Sequence, residues 1–475
     1  MSQTGSIYPA PFLYAWLAIL AWSPLPLASN RPWSMNLLCL LIFMLAFCLA
    51  AYSMLKSISP IKPLYPHRVS IGLLAFVALW STCQTIMLPS GIIETLSPAA
   101  ADLYAGADLA HFPLSLDPAE TKRLALFSWC LCLFFVMTIL LVDYSRRMRT
   151  VFMVIVLGGV FQALYGSFMT LSGLEYGFFM KKTAYLGRAT GTFVNRNHLA
   201  GYLEMCLAVG IGLMVGSLHR TTAAGWRAKL GQGIDTLLGP KMRLRVFLAL
   251  MVIALVLTRS RMGNSAFFIA LPACGVLFMA VRRKLHKGAL VLIVSLMLVD
   301  FFIVGQWFGF EEVVDRLENT STETETRDEV IRDTWRMLQE YPLTGTGLGT
   351  YYSAFPQFQG PDVRGFYDHA HNDYLEFALE LGLIGFLPLA ALVLLSLYQA
   401  IRTLARRHDS LARGVAFAAT MGMISLLIHS LVDFNLHIPA NALMFITMLA
   451  FASISVKLPR NGSRNPKRKA KGEKQ

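Results

Sequence analysis

The chain has 475 residues, 55% of them hydrophobic and 15% charged, with a mean hydropathy of +0.53 and a net charge of +14. A soluble domain carries about 25% charged residues, so the composition excludes a soluble helical protein with a large core and points to an all-α, polytopic membrane protein. The positive charge does not point to nucleic acid, because it falls in short loops between apolar runs, as membrane topology requires.

A run of about 20 apolar residues spans a bilayer core. Twelve such spans are predicted, at approximately 11–29, 35–55, 69–89, 124–142, 150–171, 198–217, 244–258, 264–281, 288–308, 374–397, 414–434 and 438–456. Pro24 and Pro26 should kink or break the first near its end. That run has no basic leader region and no small-residue cleavage site, so it reads as a retained helix. The seven cysteines (Cys39, Cys48, Cys83, Cys130, Cys132, Cys206 and Cys274) all lie in apolar runs and read as small core residues.

Alternate loops are basic: Lys56 to Arg68, Arg146 to Arg149, His219 to Arg245, Arg282 to Lys284, Arg402 to Arg413, and the tail from Lys457. The charge bias puts these loops and both termini on the cytoplasmic side. The tail segment Arg464–Lys469 reads equally as an anchor on anionic lipid or as a disordered solubilising end. Of the outward loops, 90–123 is moderately acidic and rich in Pro and Ala. The loop at 309–371 is the largest, with twelve acidic residues against five arginines, a net −7. Within it Thr326-Arg327-Asp328-Glu329 reads as a capping box. The helix that follows should set Val330, Ile331, Trp335 and Leu338 on one side and stop before Pro342. A long loop with its own helix is often functional, so it is a predicted lid.

The predicted topology brings the conspicuous polar residues to the outer face. These are Arg188, Asn195 to His198 with Arg196 and Asn197, Arg259-Ser260-Arg261, Arg327, Arg364, the stretch Asp368-His369-Ala370-His371-Asn372-Asp373-Tyr374, and the turn Asp433-x-Asn435-x-His437. Arginines at helix mouths, outside against the charge bias, point to an anionic ligand, because a guanidinium fork matches a pair of phosphate oxygens. The plainer reading is salt bridging to Glu204, Glu376 or Glu380. His371 is the candidate general base, since a histidine near its ordinary pKa can take a proton from a hydroxyl. His369-x-His371 lacks a second ligand cluster at suitable spacing, so no metal is assigned. Asp373, Glu376 and Glu380 share one helix face and are expected to orient the arginines. His429 and Asp433 are one turn apart, and Asp300 is a lone acid in the ninth span. Gly345-Thr346-Gly347-Leu348-Gly349 is not a phosphate loop; it follows no strand and reads as a turn that reorients the chain.

Several segments resemble the bacterial O-antigen ligase and polysaccharide polymerase superfamily. They are Gly191 to His198 with Ala200 to Leu203, Thr258 to Arg261, Arg327 through Trp335 to Pro342 and the glycine loop, and His371-Asn372 separated by nine residues from Gly382-Leu383-Ile384-Gly385. The resemblance covers about residues 185–390. It implies a metal-independent, inverting glycosyltransferase without a cofactor at the periplasmic face of the bacterial inner membrane. The donor would be an undecaprenyl diphosphate-linked glycan, and the acceptor lipid A-core or a second lipid-linked glycan. By position, His371 would be the base, and Arg261 and Arg327 would hold the diphosphate. Arg188, Arg196, Asn197, Arg259, Arg364, His369, Asn372 and Asp373 would line the substrate site. The expected organisation is an N-terminal transmembrane bundle (1–185), a catalytic region (186–400), C-terminal helices (401–456) and a basic tail (457–475). A glycan flippase or a non-catalytic scaffold are the rivals. The large one-sided loop, and polar residues gathered at one face rather than the midplane, count against a transporter.

Overall fold

The computed structural model describes residues 7–107, 110–177, 180–217, 240–282, 327–363 and 365–458. They form a bundle of helices: α1 (Ala10–Trp22), α2 (Pro32–Leu55), α3 (Arg68–Cys83), α4 (Ser90–Leu96), α5 (Pro98–Tyr104), α6 (Pro118–Leu141), α7 (Ser145–Leu171), α8 (Arg196–Gly216), α9 (Pro240–Leu257), α10 (Arg261–Arg282), α11 (Arg327–Glu340), α12 (Asp373–Arg406), α13 (Ser410–His429) and α14 (Pro439–Ser455). Among the described residues, α2, α6, α7, α8, α10, α12 and α13 are long and apolar enough to cross a membrane; α1 and α14 are apolar but shorter. The only β-structure in these residues is two two-residue antiparallel ribbons, Leu88–Pro89 with His111–Phe112 and Tyr176–Gly177 with Met180–Lys181.

The helical reading of the chain holds, with shifts at several boundaries. The ninth predicted span, 288–308, and Asp300 lie outside the described residues, so the count of twelve rests on the sequence. The first predicted span stops at Trp22. Pro24 and Pro26 follow, and a proline cannot donate the bond that would continue the helix; Leu27, Ala28 and Ser29 then take the left-handed conformation. The third span ends at Cys83, and the chain then enters the ribbon at Leu88.

α8 is the centre of the bundle and is almost wholly buried. α13 runs against it at backbone contact: Gly212 sits on the Gly414 carbonyl, and Gly414 on that of Gly212. Small residues at a crossing let two membrane helices approach this closely. α7, α9 and α10 pack around this pair, while α3 packs against both α6 and α12.

The glycine loop does more than turn the chain. α12 is interrupted at Gly382, whose φ of 60° and ψ of 179° break its hydrogen-bond ladder. The turn segment Pro342–Gly347 fills the break. Thr346 N–H donates to the Leu379 carbonyl and Gly347 N–H to that of Glu380, both at 3.0 Å. Leu383 N–H returns a bond to the Pro342 carbonyl at 2.9 Å and Ile384 N–H one to Leu343 at 3.2 Å. A Cβ on Gly345 would strike the Glu380 carbonyl, and one on Gly382 the Leu343 carbonyl. Buried Gln84 locks the joint, its Nε2 donating to the carbonyls of Thr344 and Glu380 at 2.8 Å each. Trp80 Nε1 donates to the Leu381 carbonyl at 2.7 Å.

α11 ends before Pro342 as predicted, but its buried face is not the expected one. Val330, Asp333, Thr334 and Met337 are buried, whereas Trp335 is 54% exposed. The polar pair is buried because each has a partner. Asp333 Oδ2 accepts from Gly360 N–H at 2.9 Å, and Thr334 Oγ1 lies 2.8 Å from the Tyr351 hydroxyl. α11 thereby ties down the segment leading to His369.

Candidate functional site

The site is built where α12 begins. Asn372 caps α12, its Oδ1 accepting from Leu375 N–H at 3.1 Å while its Nδ2 donates to the Leu431 carbonyl at 3.0 Å. A side chain bonded twice in this way fixes the helix entry. His371, one residue earlier, has a φ of 51°. A bulky residue in that conformation is strained and persists only where its surroundings hold it. Its ring is half-buried and meets the edge of Phe434 at 5.0 Å between centroids, with Tyr367 at 6.0 Å on another side.

Phe434 is the hub of this region. His369 stacks on it at 4.0 Å and an interplanar angle of 15°, and His198 meets it edge-on at 4.7 Å. Three histidines from two parts of the chain therefore share one phenyl ring.

Asp373, Glu376 and Glu380 share a face of α12 as expected, and all three are buried. Their expected role of orienting arginines is replaced by a different one, because the partners that meet them are histidines. His437 Nδ1 lies 2.8 Å from Asp373 Oδ1, and its Nε2 lies 3.4 Å from Glu376 Oε1 and 3.6 Å from Glu380 Oε2. His369 Nδ1 lies 2.6 Å from Glu376 Oε1, and Ala370 N–H donates to Glu376 Oε2 at 2.8 Å. Asp373 also accepts from the Ser430 hydroxyl at 2.6 Å and from Leu436 N–H at 3.1 Å. Buried carboxylates persist only when paired and hydrogen-bonded in this way. Burial alone would push the His437 ring down, but Glu376, Asp373 and Glu380 outweigh it and hold its pKa well above the ordinary histidine value. His369 is likewise raised, the Glu376 charge outweighing burial.

A second charged group continues inward. His429 Nδ1 lies 2.8 Å from Glu204 Oε1 on α8, and the Ser425 hydroxyl donates to Glu204 Oε2 at 2.6 Å. Asp433 faces His198 Nε2 at 3.6 Å and His429 Nε2 at 3.7 Å. Burial works against the charge on Asp433, but the two rings hold its pKa well below the usual carboxylate range. Glu204 is thus a histidine partner, and its expected pairing with an arginine gives way to that.

The arginines gather at the same end of the bundle. Arg261 is exposed and opens α10, which lies against the end of α13: a Cβ on Gly263 would come within 3.1 Å of His429 Cε1. Arg259, exposed with a φ of 52°, precedes it. Arg196, at the start of α8, donates from Nη1 to the Arg259 carbonyl at 2.9 Å and lies over the Tyr185 ring. Asn197 N–H is taken by the cap Asn195 at 2.9 Å. The Arg188 carbonyl accepts from Lys182 Nζ at 2.8 Å. Arg327 opens α11, but its side chain lies outside the described residues, as does Arg364.

Sequence reasoning placed His198 and His437 on the outer face without partners and missed Phe434 and Gln84, whose partners are remote in the chain. A polar turn of the form Asp433-x-Asn435-x-His437 after an apolar helix was the available signal. Among the described residues, one group has the donor set for a cation: His369, Glu376 and His437, with ligand-type atoms within 4.8 Å of one another. His371 is not part of it. The 2.6 Å contact between His369 and Glu376 already satisfies that pair as a charge-assisted hydrogen bond.

Residues 246–390, from within α9 to the first half of α12, match the family model described as O-antigen ligase. No curated protein matches the chain.

Proposed function

We propose, starting from an O-antigen ligase domain over residues 246–390, that the protein transfers a glycan from undecaprenyl diphosphate to an acceptor hydroxyl on the outer face of the bacterial inner membrane. The acceptor is lipid A-core. His371 takes the acceptor proton, and the freed oxygen attacks the anomeric carbon. The bond from that carbon to the diphosphate breaks, the diphosphate leaves with both electrons, and the anomeric centre inverts. Arg261 and Arg327 hold the diphosphate and receive its growing charge, as a fixed cationic site does in oxyanion stabilisation. Arg188, Arg196, Arg259 and Arg364 support the same anion, and Asn197 and His369 border the glycan. Asn372 and Asp373 act as positioning residues, since their side-chain oxygens are engaged in the fold. The arginines carry the electrostatic load, so the step takes no metal.

The observation that carries this reading is the placement of His371. It sits just outside the Asn372 cap, at the bundle end where Arg196 and Arg261 open their helices and Arg259 lies in the turn before α10. The test is transfer in proteoliposomes with undecaprenyl diphosphate-linked glycan and either lipid A-core or a second lipid-linked glycan. Product on lipid A-core that needs His371 supports the proposal. Product only on the lipid-linked glycan makes the protein a polymerase. Glycan crossing the bilayer without product makes it a transporter.

A further inference from the structure

The end of the bundle away from His371 holds a cavity of about 580 Å³ between α2 and α6. This is within the roughly 300–1,000 Å³ of ligand sites. Helix direction fixes its place: α12 starts beside His371, whereas the cavity is lined by the last turns of α2 and α6, both of which run away from that end. Its wall is apolar, with Leu49, Ala50, Leu133, Val136, Met137 and Leu140. The polar atoms there satisfy one another, the Tyr8 hydroxyl lying 3.0 Å from Ser53 Oγ, which donates to the Leu49 carbonyl at 2.7 Å. Such a wall asks for a hydrocarbon chain, because an apolar cavity does not hold water.

Ser57, Pro60 and Leu64 also line the cavity, and the exposed cations Lys56 and Lys62 flank these residues in the chain. Met54, Leu55, Ile61 and Tyr65 are 60–83% exposed around them, and Arg68 lies 4.3 Å over the Tyr65 ring. Exposed aliphatic and aromatic side chains mixed with cations mark a membrane interface.

We infer that this cavity binds an acyl chain of an anionic phospholipid resident in the leaflet opposite the candidate site, with the lipid phosphate held by Lys56 and Lys62. The proposed donor has its diphosphate at the other end of the bundle, so this lipid is not the donor. The inference rests on the membrane reading alone and stands whether or not glycan transfer is found.

Native mass spectrometry of the purified full chain, exchanged against phosphatidylglycerol or phosphatidylcholine, tests it. Each basic residue near an anionic lipid surface favours binding, so phosphatidylglycerol should be retained about tenfold or more over phosphatidylcholine. The Lys56→Gln/Lys62→Gln variant should lose that preference, and Ala50→Trp, which fills the cavity, should lose both lipids. Equal retention of the two lipids by the wild type overturns the inference, as does a preference unchanged in the lysine variant. Displacement of phosphatidylglycerol by undecaprenyl phosphate would assign the cavity to a polyprenyl chain and overturn it too. Both lysines are exposed, so that variant decides the matter even where Ala50→Trp fails to fold.

Discussion

His437 binds Asp373 through Nδ1 at 2.8 Å and turns Nε2 toward Glu376 and Glu380. One imidazole thus serves three buried carboxylates on consecutive turns of α12. Removing one partner from a buried charged network costs about 3–5 kcal/mol, so His437→Gln should lower the melting temperature in detergent markedly. Glu380→Gln in the same chain should recover part of the loss, because it removes a carboxylate left without its counter-charge. Additive losses in the double variant would show that the two side chains do not interact.

His371→Ala should behave differently. Loss of a general base costs about 10²–10⁴-fold in rate, while the half-buried ring contributes little to folding. Transfer in proteoliposomes should fall by that factor at an unchanged melting temperature. Arg261→Lys keeps the charge and loses the bidentate fork; a drop of about 10²–10³-fold is expected. Wild-type rates in either variant would remove that residue from the mechanism.

Gly382→Ala should be among the most damaging single-methyl changes in the chain. It adds backbone strain of about 1–3 kcal/mol to a collision with the Leu343 carbonyl. Gly173, also at positive φ but with nothing within 4 Å of an added Cβ, supplies the control. Gly173→Ala should cost only backbone strain, and a much smaller loss of melting temperature there than in Gly382→Ala is the expected outcome.

Transfer should persist in excess EDTA. If chelation stops the reaction and a divalent ion restores it, His369, Glu376 and His437 become metal ligands and the arginine-only account of the leaving group fails.

Acid should weaken the opposite end of the bundle. Burial, with help from Lys457, lowers the His67 pKa to about 4, and His67 Nδ1 lies 2.6 Å from Ser453 Oγ. The unfolded chain, with an ordinary histidine near 6.5, binds the proton more readily. The stability held above pH 6.5 is therefore lost as the pH falls toward 4, by about 2 kcal/mol at pH 5. His67→Gln should show a smaller drop in melting temperature between pH 7.5 and pH 5 than wild type. An identical drop would place the acid sensitivity elsewhere.

What the sequence made legible was local. Apolar runs at 198–217 and 374–397 became α8 and α12 because a span announces itself by composition over one continuous stretch. Pro342 announced the end of α11. The chemistry of the site depended instead on distant pairs. Asp373 meets His437 across 64 residues of chain, Glu204 meets His429 across 225, and Gln84 reaches Glu380 across 296. Periodicity placed three carboxylates on one face of α12 but could not say what that face met. Trp335 was misplaced for a related reason: hydrophobicity chose the buried face of α11, while Asp333 and Thr334 are held inside by partners in segments that follow.

The segment Pro342–Gly347 completes the backbone hydrogen bonding of α12 where Gly382 interrupts it. Half of the joint is therefore made almost forty residues before the other half, and neither half is satisfied alone. An epitope or reporter inserted between 342 and 349 to map sidedness would leave α12 with open carbonyls inside the membrane, and would report on a misfolded chain.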